Sequence, residues 1–363
     1  EAALYTGATL GVFGEHFCEM TIDAGPLMTP TQTLDLALEW IGRAQTHFAQ
    51  TGDYALTVDQ GTITPSVRQM ALGLSARIKW SKGDLAGAAA DAAQVPDGFM
   101  AWVLREEGED RRNSVAAFQG GAQQAAGFLQ GPVRLKTQDV PYGITSLGNN
   151  PVTGAPWPDP VPFTGYLDLA IDASTGRAVT DAGYPLTTAD PGTVEDTRVQ
   201  HRIGNTAGGP APIVNKFTAF ADDIPLVNWL EMRLIQAQHA NETNNDQAAA
   251  IAFVNEVRDA AGLPRVQGAY AAGATQSTVE DMIIEERRRA LWLEGRFWST
   301  KIQNPDKLWF PRLQGDWINE NATYVLGGAV RVLLPSDEYN INENLSLESR
   351  GTGCAAAQAP VFN

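Results

Sequence analysis

Residues Thr278 to Thr300, TVEDMIIEERRRALWLEGRFWST, set a carboxylate into the middle of an apolar helical face. At about 100° per residue, Val279, Ile283, Ala290, Leu293 and Phe297 fall on one side of a helix, and Glu286 falls among them. A carboxylate there is costly unless a cation and hydrogen bonds reach it. Arg287, Arg288, Arg289 and Arg296 are the nearest cations in sequence. The pattern predicts a buried structural ion pair, Glu286 with Arg287, that fixes how the helix docks. The competing reading, a catalytic glutamate with an arginine clamp, has no nucleophile or metal cluster beside it.

Helical periodicity at 31–51, 66–93, 225–261 and 278–298 predicts a mainly α chain. Thr29 or Thr31 can cap the first of these helices, Pro30 suits a first turn, and Leu34, Leu38, Ile41 and Phe48 line one face. Thr51-Gly52-Asp53 ends it. There is a weak internal echo: Met70, Leu72 and Gly83-Asp84 correspond to Met232, Leu234 and Asn245-Asp246. Both places read as a helix, a tight polar turn and an alanine-rich helix, which predicts tetratricopeptide-like hairpins. Between Gly131 and Ala221 this texture gives way to proline, glycine, asparagine and aspartate. There Gly165 to Gly183 alternates around Ser174-Thr175-Gly176, as a β-hairpin does. Asn149 to Phe163 must be extended, because its prolines forbid helix and ladder alike. A short strand is expected at Ala329 to Leu334.

Several function classes are excluded. The net charge of −16 opposes nucleic acid and anionic membrane surfaces. No apolar run reaches the roughly 18 residues of a membrane span. The four histidines, His16, His47, His201 and His239, form no His-Glu-x-x-His pair and have no ligand spacing with Cys or Asp, so neither metal nor cofactor is expected. Asp222-Asp223 and Glu106-Glu107 are carboxylates adjacent in sequence that point apart, which leaves a glycosidase little support. Two cysteines, Cys18 and Cys354, are either two buried thiols or one long-range disulfide.

Four segments carry a family resemblance. Glu286-Arg287, Ala290-Leu291 and Glu294-Gly295-Arg296 resemble an ER-x-x-EL-x-x-EG-x-R helix. Pro225 to Pro264 resembles paired helices of the form PL-x-R-x-x-E-x-x-L-x-x-AEA and A-x-x-x-x-N-x-VR-x-RAGLP. Met70 to Val95 is similar to ALLARV-x-L-x-x-GD-x-x-x-A-x-x-x-A, and Leu333 to Leu345 to LPIP-x-x-E-x-x-x-NPNL. In this order these are motifs of the SusD/RagB family. Asn228 in place of arginine, Gln236-Ala237-Gln238 in place of AEA and Ser336-Asp337 in place of Ile-Pro mark a divergent member.

The resemblance implies one SusD-like domain over 1–363. It would have helical hairpins at 30–95, a loop and β-hairpin insert at 131–222, helices at 224–300 and an irregular tail at 301–363. By that resemblance, residues 10–20 lie past the family's first helices. It further implies a non-catalytic, surface-exposed outer-membrane lipoprotein whose anchor lies outside these residues. Such a protein captures an oligosaccharide or peptide and hands it to a TonB-dependent, SusC-like transporter. Export would permit the Cys18–Cys354 disulfide. Family members use loop aromatics, which offer a flat face to the C–H side of a sugar. Here Trp157, Tyr142 and Trp309 are the candidate ligand contacts, with Asn149, Asn150 and Asp159 near the first two. Large aromatics also commonly cap a helical core from outside. The alternative function is a structural or scaffolding subunit of an extracellular assembly, with self-association through the hairpins.

Overall fold

The computed structural model describes residues 1–108, 110–118, 198, 216–263, 265–266, 273–304 and 331–351, and the backbone of strands at 170–171, 178–179, 201–206 and 209–214. Helices α1 (Ala2–His16) and α2 (Pro30–Thr51) pair first. Thr29 caps α2 through a reciprocal capping box with Gln32, and Pro30 sits in its first turn. The α2 face that meets α1 and α3 (Val67–Lys82) buries Leu34, Ala37, Ile41, Ala44 and Phe48. A hairpin of β1 (Leu56–Val58) and β2 (Gly61–Thr64) leads into α3, and α4 (Leu85–Ala92) folds back on it.

The sequence echo has a physical basis. Between α3 and α4, Gly83 takes φ +84 and Asp84 caps α4 by accepting from Gly87 N at 2.9 Å. Between α6 (Trp229–Glu242) and α7 (Gln247–Ala260), Asn245 takes φ +53 and Asp246 accepts from Ala249 N at 2.9 Å. A left-handed residue followed by an aspartate cap turns both hairpins. The described part of the chain is mainly α with small sheets, and the tetratricopeptide-like reading holds.

Helix α6 is the centre of the packing. Its Met232 and Ile235 join the core made by α1 to α4, while Leu234, Ala237 and Ala240 join a second core with α7 and α8 (Gln276–Ala290). A helix apolar on two faces must be buried, and Glu231 and Asn241 are the polar residues buried with it.

Strand β3 (Met100–Val103) pairs antiparallel with β8 (Ile224–Asn228), which runs directly into α6. Val103 lies opposite Ile224, so the long insert leaves and returns at one two-stranded ladder. Inside the insert lie the short helix α5 (Ser114–Phe118) and two hairpins. One is β4 (Ala170–Ile171) with β5 (Ala178–Val179); the other is β6 (His201–Thr206) with β7 (Gly209–Val214). The strand expected at 329–334 is, among its described residues, a single bridge from Val332 to Phe17. Beyond it come α10 (Ser336–Ile341) and a 3-10 turn at Leu347–Ser349, after α9 (Phe297–Gln303) earlier in the chain.

Helix α1 falls where the family resemblance placed residues past its first helices. It shows only a weak amphipathic stripe, because Gly7, Gly11 and Gly14 share its buried face with Leu4 and Leu10. A Cβ on Gly14 would lie 2.6 Å from Leu34 Cγ and 3.1 Å from Leu34 N; one on Gly7 would lie 2.7 Å from Ile41 Cδ1 and 3.0 Å from Ala37 O. Gly14→Ala should therefore destabilise by about 1–3 kcal/mol through overpacking, despite the gain in helix propensity. A urea midpoint equal to or above wild type would contradict this close approach.

Cys18 is buried at 2 % exposure, and its N–H donates to Val332 O at 2.8 Å. Next to it, the Glu19 carboxylate accepts from Gly351 N at 2.8 Å, so the C-terminal segment is led back to Cys18. Cys354 lies outside the described residues, and the Cys18–Cys354 disulfide is a proposal on this ground. Closing so long a loop would contribute on the order of 4–5 kcal/mol in the chain-entropy model. The denatured, unreduced protein should titrate no free thiol; two would rule the disulfide out.

Candidate functional site

The densest polar chemistry in the described residues is a buried chain of carboxylates and guanidinium groups between helices. Glu231, in the first turn of α6, is fully buried. Its Oε2 accepts from Arg77 of α3, at 3.0 Å from Nε and 2.6 Å from Nη2. Its Oε1 accepts from Arg287 Nη2 at 3.1 Å and from Arg296 Nε at 3.2 Å. Arg296 then forks onto Glu15 of α1, with Nη1 to Oε2 at 2.8 Å and Nη2 to Oε1 at 2.7 Å. Ser81 Oγ donates to the same Glu15 Oε1 at 2.5 Å and returns the chain to α3.

A local break in the backbone makes this possible. The helical pattern expected over 278–298 ends at Ala290, and Leu293 (φ 62) and Gly295 (φ 75) turn the chain before α9. Leu293 is a branched residue in the left-handed region, a strained position that the surroundings must hold. The turn carries Arg296 back between Glu15 and Glu231.

Three guanidinium groups face two carboxylates here. Burial pushes the Glu231 carboxyl up, but Arg77, Arg296 and Arg287 outweigh it and hold the group far below the usual carboxylate range. The same balance, chiefly with Arg296, lowers Glu15. Burial lowers Arg287 to about 10. Its Nε and Nη1 have no hydrogen-bond acceptor among the described residues, and its guanidinium lies 4.1 Å from the centre of the Trp80 ring, a cation–π contact that partly offsets the loss of water.

Glu286 is also fully buried, but the expected Glu286–Arg287 pair does not form. Arg258 Nη1 and Arg198 Nη1 each donate to Glu286 at 2.6 Å, while Arg287 serves Glu231. Consecutive helical residues project to different sides, so Glu286 must draw its cations from α7 and the insert. One turn of α8 thus holds separate clusters, since Glu285 takes Arg288 at 2.8 Å and Arg289 at 2.7 Å. Glu294 accepts from Lys216 Nζ at 2.8 Å and from Asn228 Nδ2 at 3.1 Å, which ties the base of the β3–β8 ladder to the turn after α8.

Glu15 and Glu231 are ionised, shut away from solvent and already bonded to arginine, so neither can exchange a proton with a substrate. Among the described residues no group of three or more His, Cys, Asp or Glu could hold a metal ion. Trp157, Tyr142 and Trp309 lie outside the described residues. Sequence reasoning missed Glu231, Glu15, Arg77 and Arg258. The available signal was a carboxylate flanked by apolar residues in a helical stretch, as at Glu231 between Leu230 and Met232 in WLEMRLIQA.

Glu231→Ala should lower stability by about 3–5 kcal/mol, because it leaves buried guanidinium groups uncompensated. Glu286→Ala should do the same from its separate cluster. Urea unfolding reads both, and a midpoint equal to wild type for either would contradict the burial argument.

The depressed carboxyl values also fix a pH signature. A group whose folded value lies below its unfolded one, about 4.3 for glutamate, stabilises fully above that value. The contribution disappears as pH falls through the folded value. The stability difference between wild type and Glu231→Gln should therefore stay constant from pH 8 to about 5 and shrink below about 4. A difference that changed between pH 8 and 6 would show Glu231 to be near neutral in the fold.

Residues 230–299, from α6 through α9, match the family model described as SusD family. The fold is similar to a SusD homolog from Bacteroides uniformis ATCC 8492, with 12 % identity, TM-score 0.56, and coverage of 99 % of this chain and 80 % of that one. It is also similar to a SusD superfamily protein from Bacteroides fragilis NCTC 9343, with 13 % identity, TM-score 0.52, and coverage of 95 % and 79 %. A SusD-like carbohydrate binding protein from the same strain of Bacteroides fragilis has 11 % identity, TM-score 0.50, and coverage of 84 % and 66 %. No curated protein matches the chain.

Proposed function

We propose that this chain, which is a divergent SusD-like protein, is a non-catalytic glycan-binding protein of the outer-membrane surface that works with a TonB-dependent, SusC-like transporter. The observation that carries this reading is the family match over 230–299, the segment that contributes Glu231, Glu286, Glu294 and Arg296 to the buried clusters. The similar fold of a carbohydrate binding protein favours an oligosaccharide over a peptide as ligand. No helix among the described residues is long and apolar enough to cross a membrane.

In this reading Trp157, with Tyr142 and Trp309, contacts the ligand. The segment around Trp157 is rich in proline, which limits the ordering entropy that binding would cost. Asn149, Asn150 and Asp159 supply hydroxyl-binding groups near the stacking face. Affinity is modest, because a shallow loop site buries little area.

A glycan array probed with the soluble chain tests the ligand class. Trp157→Ala should abolish binding to the recognised glycan and leave the melting temperature within a degree or so, as for a surface change. A large drop in melting temperature would make Trp157 a core residue. Co-purification of a β-barrel membrane protein tests the transporter. Silence on the array together with concentration-dependent self-association would instead favour the scaffolding role.

A further inference from the structure

The connection between α1 and α2 and the segment after Val332 build one surface. The tight turn from Ile22 to Gly25 closes with Gly25 N donating to Ile22 O at 2.8 Å. Asp23 (φ 51) and Ala24 (φ 54) are two consecutive non-glycine residues in the left-handed region, a costly arrangement that needs outside support. That support comes from the other segment. Asn342 Nδ2 donates to Gly25 O at 3.0 Å, and Asn344 Nδ2 donates to Ala24 O at 2.9 Å. Tyr339 OH donates to the buried Glu19 carboxylate just before the turn.

This framework exposes apolar side chains. Ile341 is 75 % exposed and Leu347 54 %, and Ile22 is exposed on the turn bonded to their segment. The charges among them have one sign: Asp23, Asp337, Glu343 and Glu348 are all exposed carboxylates. The two cations of 331–351 turn inward, Arg331 Nη1 to Gly14 O and Glu15 O, and Arg350 Nε to Leu334 O. Large aliphatic side chains on braced segments whose exposed charges are all carboxylates fit the mixed apolar and charged make-up of a protein interface. The single sign of these exposed charges repels an anionic lipid surface and a second copy of the same face.

We propose that the surface formed by the 22–25 turn and residues 336–348 docks a protein partner that offers an apolar socket rimmed by lysine or arginine. The proposal does not rest on the glycan reading; a blank glycan array would leave it standing.

The probe is a fluorescein-labelled amphipathic helical peptide with one leucine face and one lysine face, titrated by anisotropy against the full chain. Wild type should bind it, and should not bind the same peptide with glutamate in place of lysine. Ile341→Ser with Leu347→Ser leaves the net charge unchanged and should weaken binding about tenfold or more, as loss of anchoring contacts does. Glu343→Lys with Glu348→Lys should weaken it at low salt and less at high salt. No binding by wild type would overturn the proposal. So would undiminished binding by the serine variant, which would assign the attraction to overall charge, or by the lysine variant at low salt. Adsorption to phosphatidylglycerol vesicles in preference to the peptide would overturn it in favour of a membrane.

Discussion

The Glu231 carboxylate receives guanidinium groups from α3, from α8 and from the turn after α8, and through Arg296 it reaches α1. Helix α6 is apolar on two faces, and apolar packing is non-directional, so burial alone would leave its rotation and height poorly fixed. Forked guanidinium–carboxylate pairs have direction and fixed spacing. A buried ionic network of this kind adds little net stability over a well-packed apolar core, but breaking one member leaves a charge stranded. Its contribution here is register: it sets how α1, α3, α6 and the 291–296 turn stand against one another. The strained Leu293 is the local cost of bringing Arg296 into place.

The same region positions the insert. Strand β8 ends at Asn228, which caps α6 by accepting from Leu230 N and donates its amide to Glu294. Lys216, at the returning end of the insert, donates to Glu294 as well. The ladder on which the insert hangs is therefore bonded to the clamped helices. The departure of Asn228 from the pattern the sequence resembles sits at this joint.

Much of the helical part is legible in the sequence, because caps and turns are local. Thr29-Pro30, Gly83-Asp84 and Asn245-Asp246 announce their boundaries, and the alternation from Gly165 to Gly183 announces the pairing of 170–171 with 178–179. Helix α1 is not legible, since Gly7, Gly11 and Gly14 interrupt the apolar stripe of Leu4 and Leu10 on its buried face. Nor is the β3–β8 pair, whose short strands come from opposite ends of the insert and include Pro225. The apolar neighbours of Glu286 point to its burial, but its partners, Arg258 and Arg198, come from elements distant in sequence. Periodicity says which face is inside and says nothing of what lies opposite. The aromatic candidates rest on sequence and resemblance, because Trp157, Tyr142 and Trp309 lie outside the described residues.

The register claim is tested most directly by native-state hydrogen exchange on Arg296→Met beside wild type, read by mass spectrometry on peptides from each helix. If Arg296 joins the helices into one cooperative unit, protection falls together in α1, α3 and α6, though only α1 and α6 lose a bond to the substituted side chain. Loss confined to residues 291–304, with α1, α3 and α6 protected as in wild type, would contradict the account.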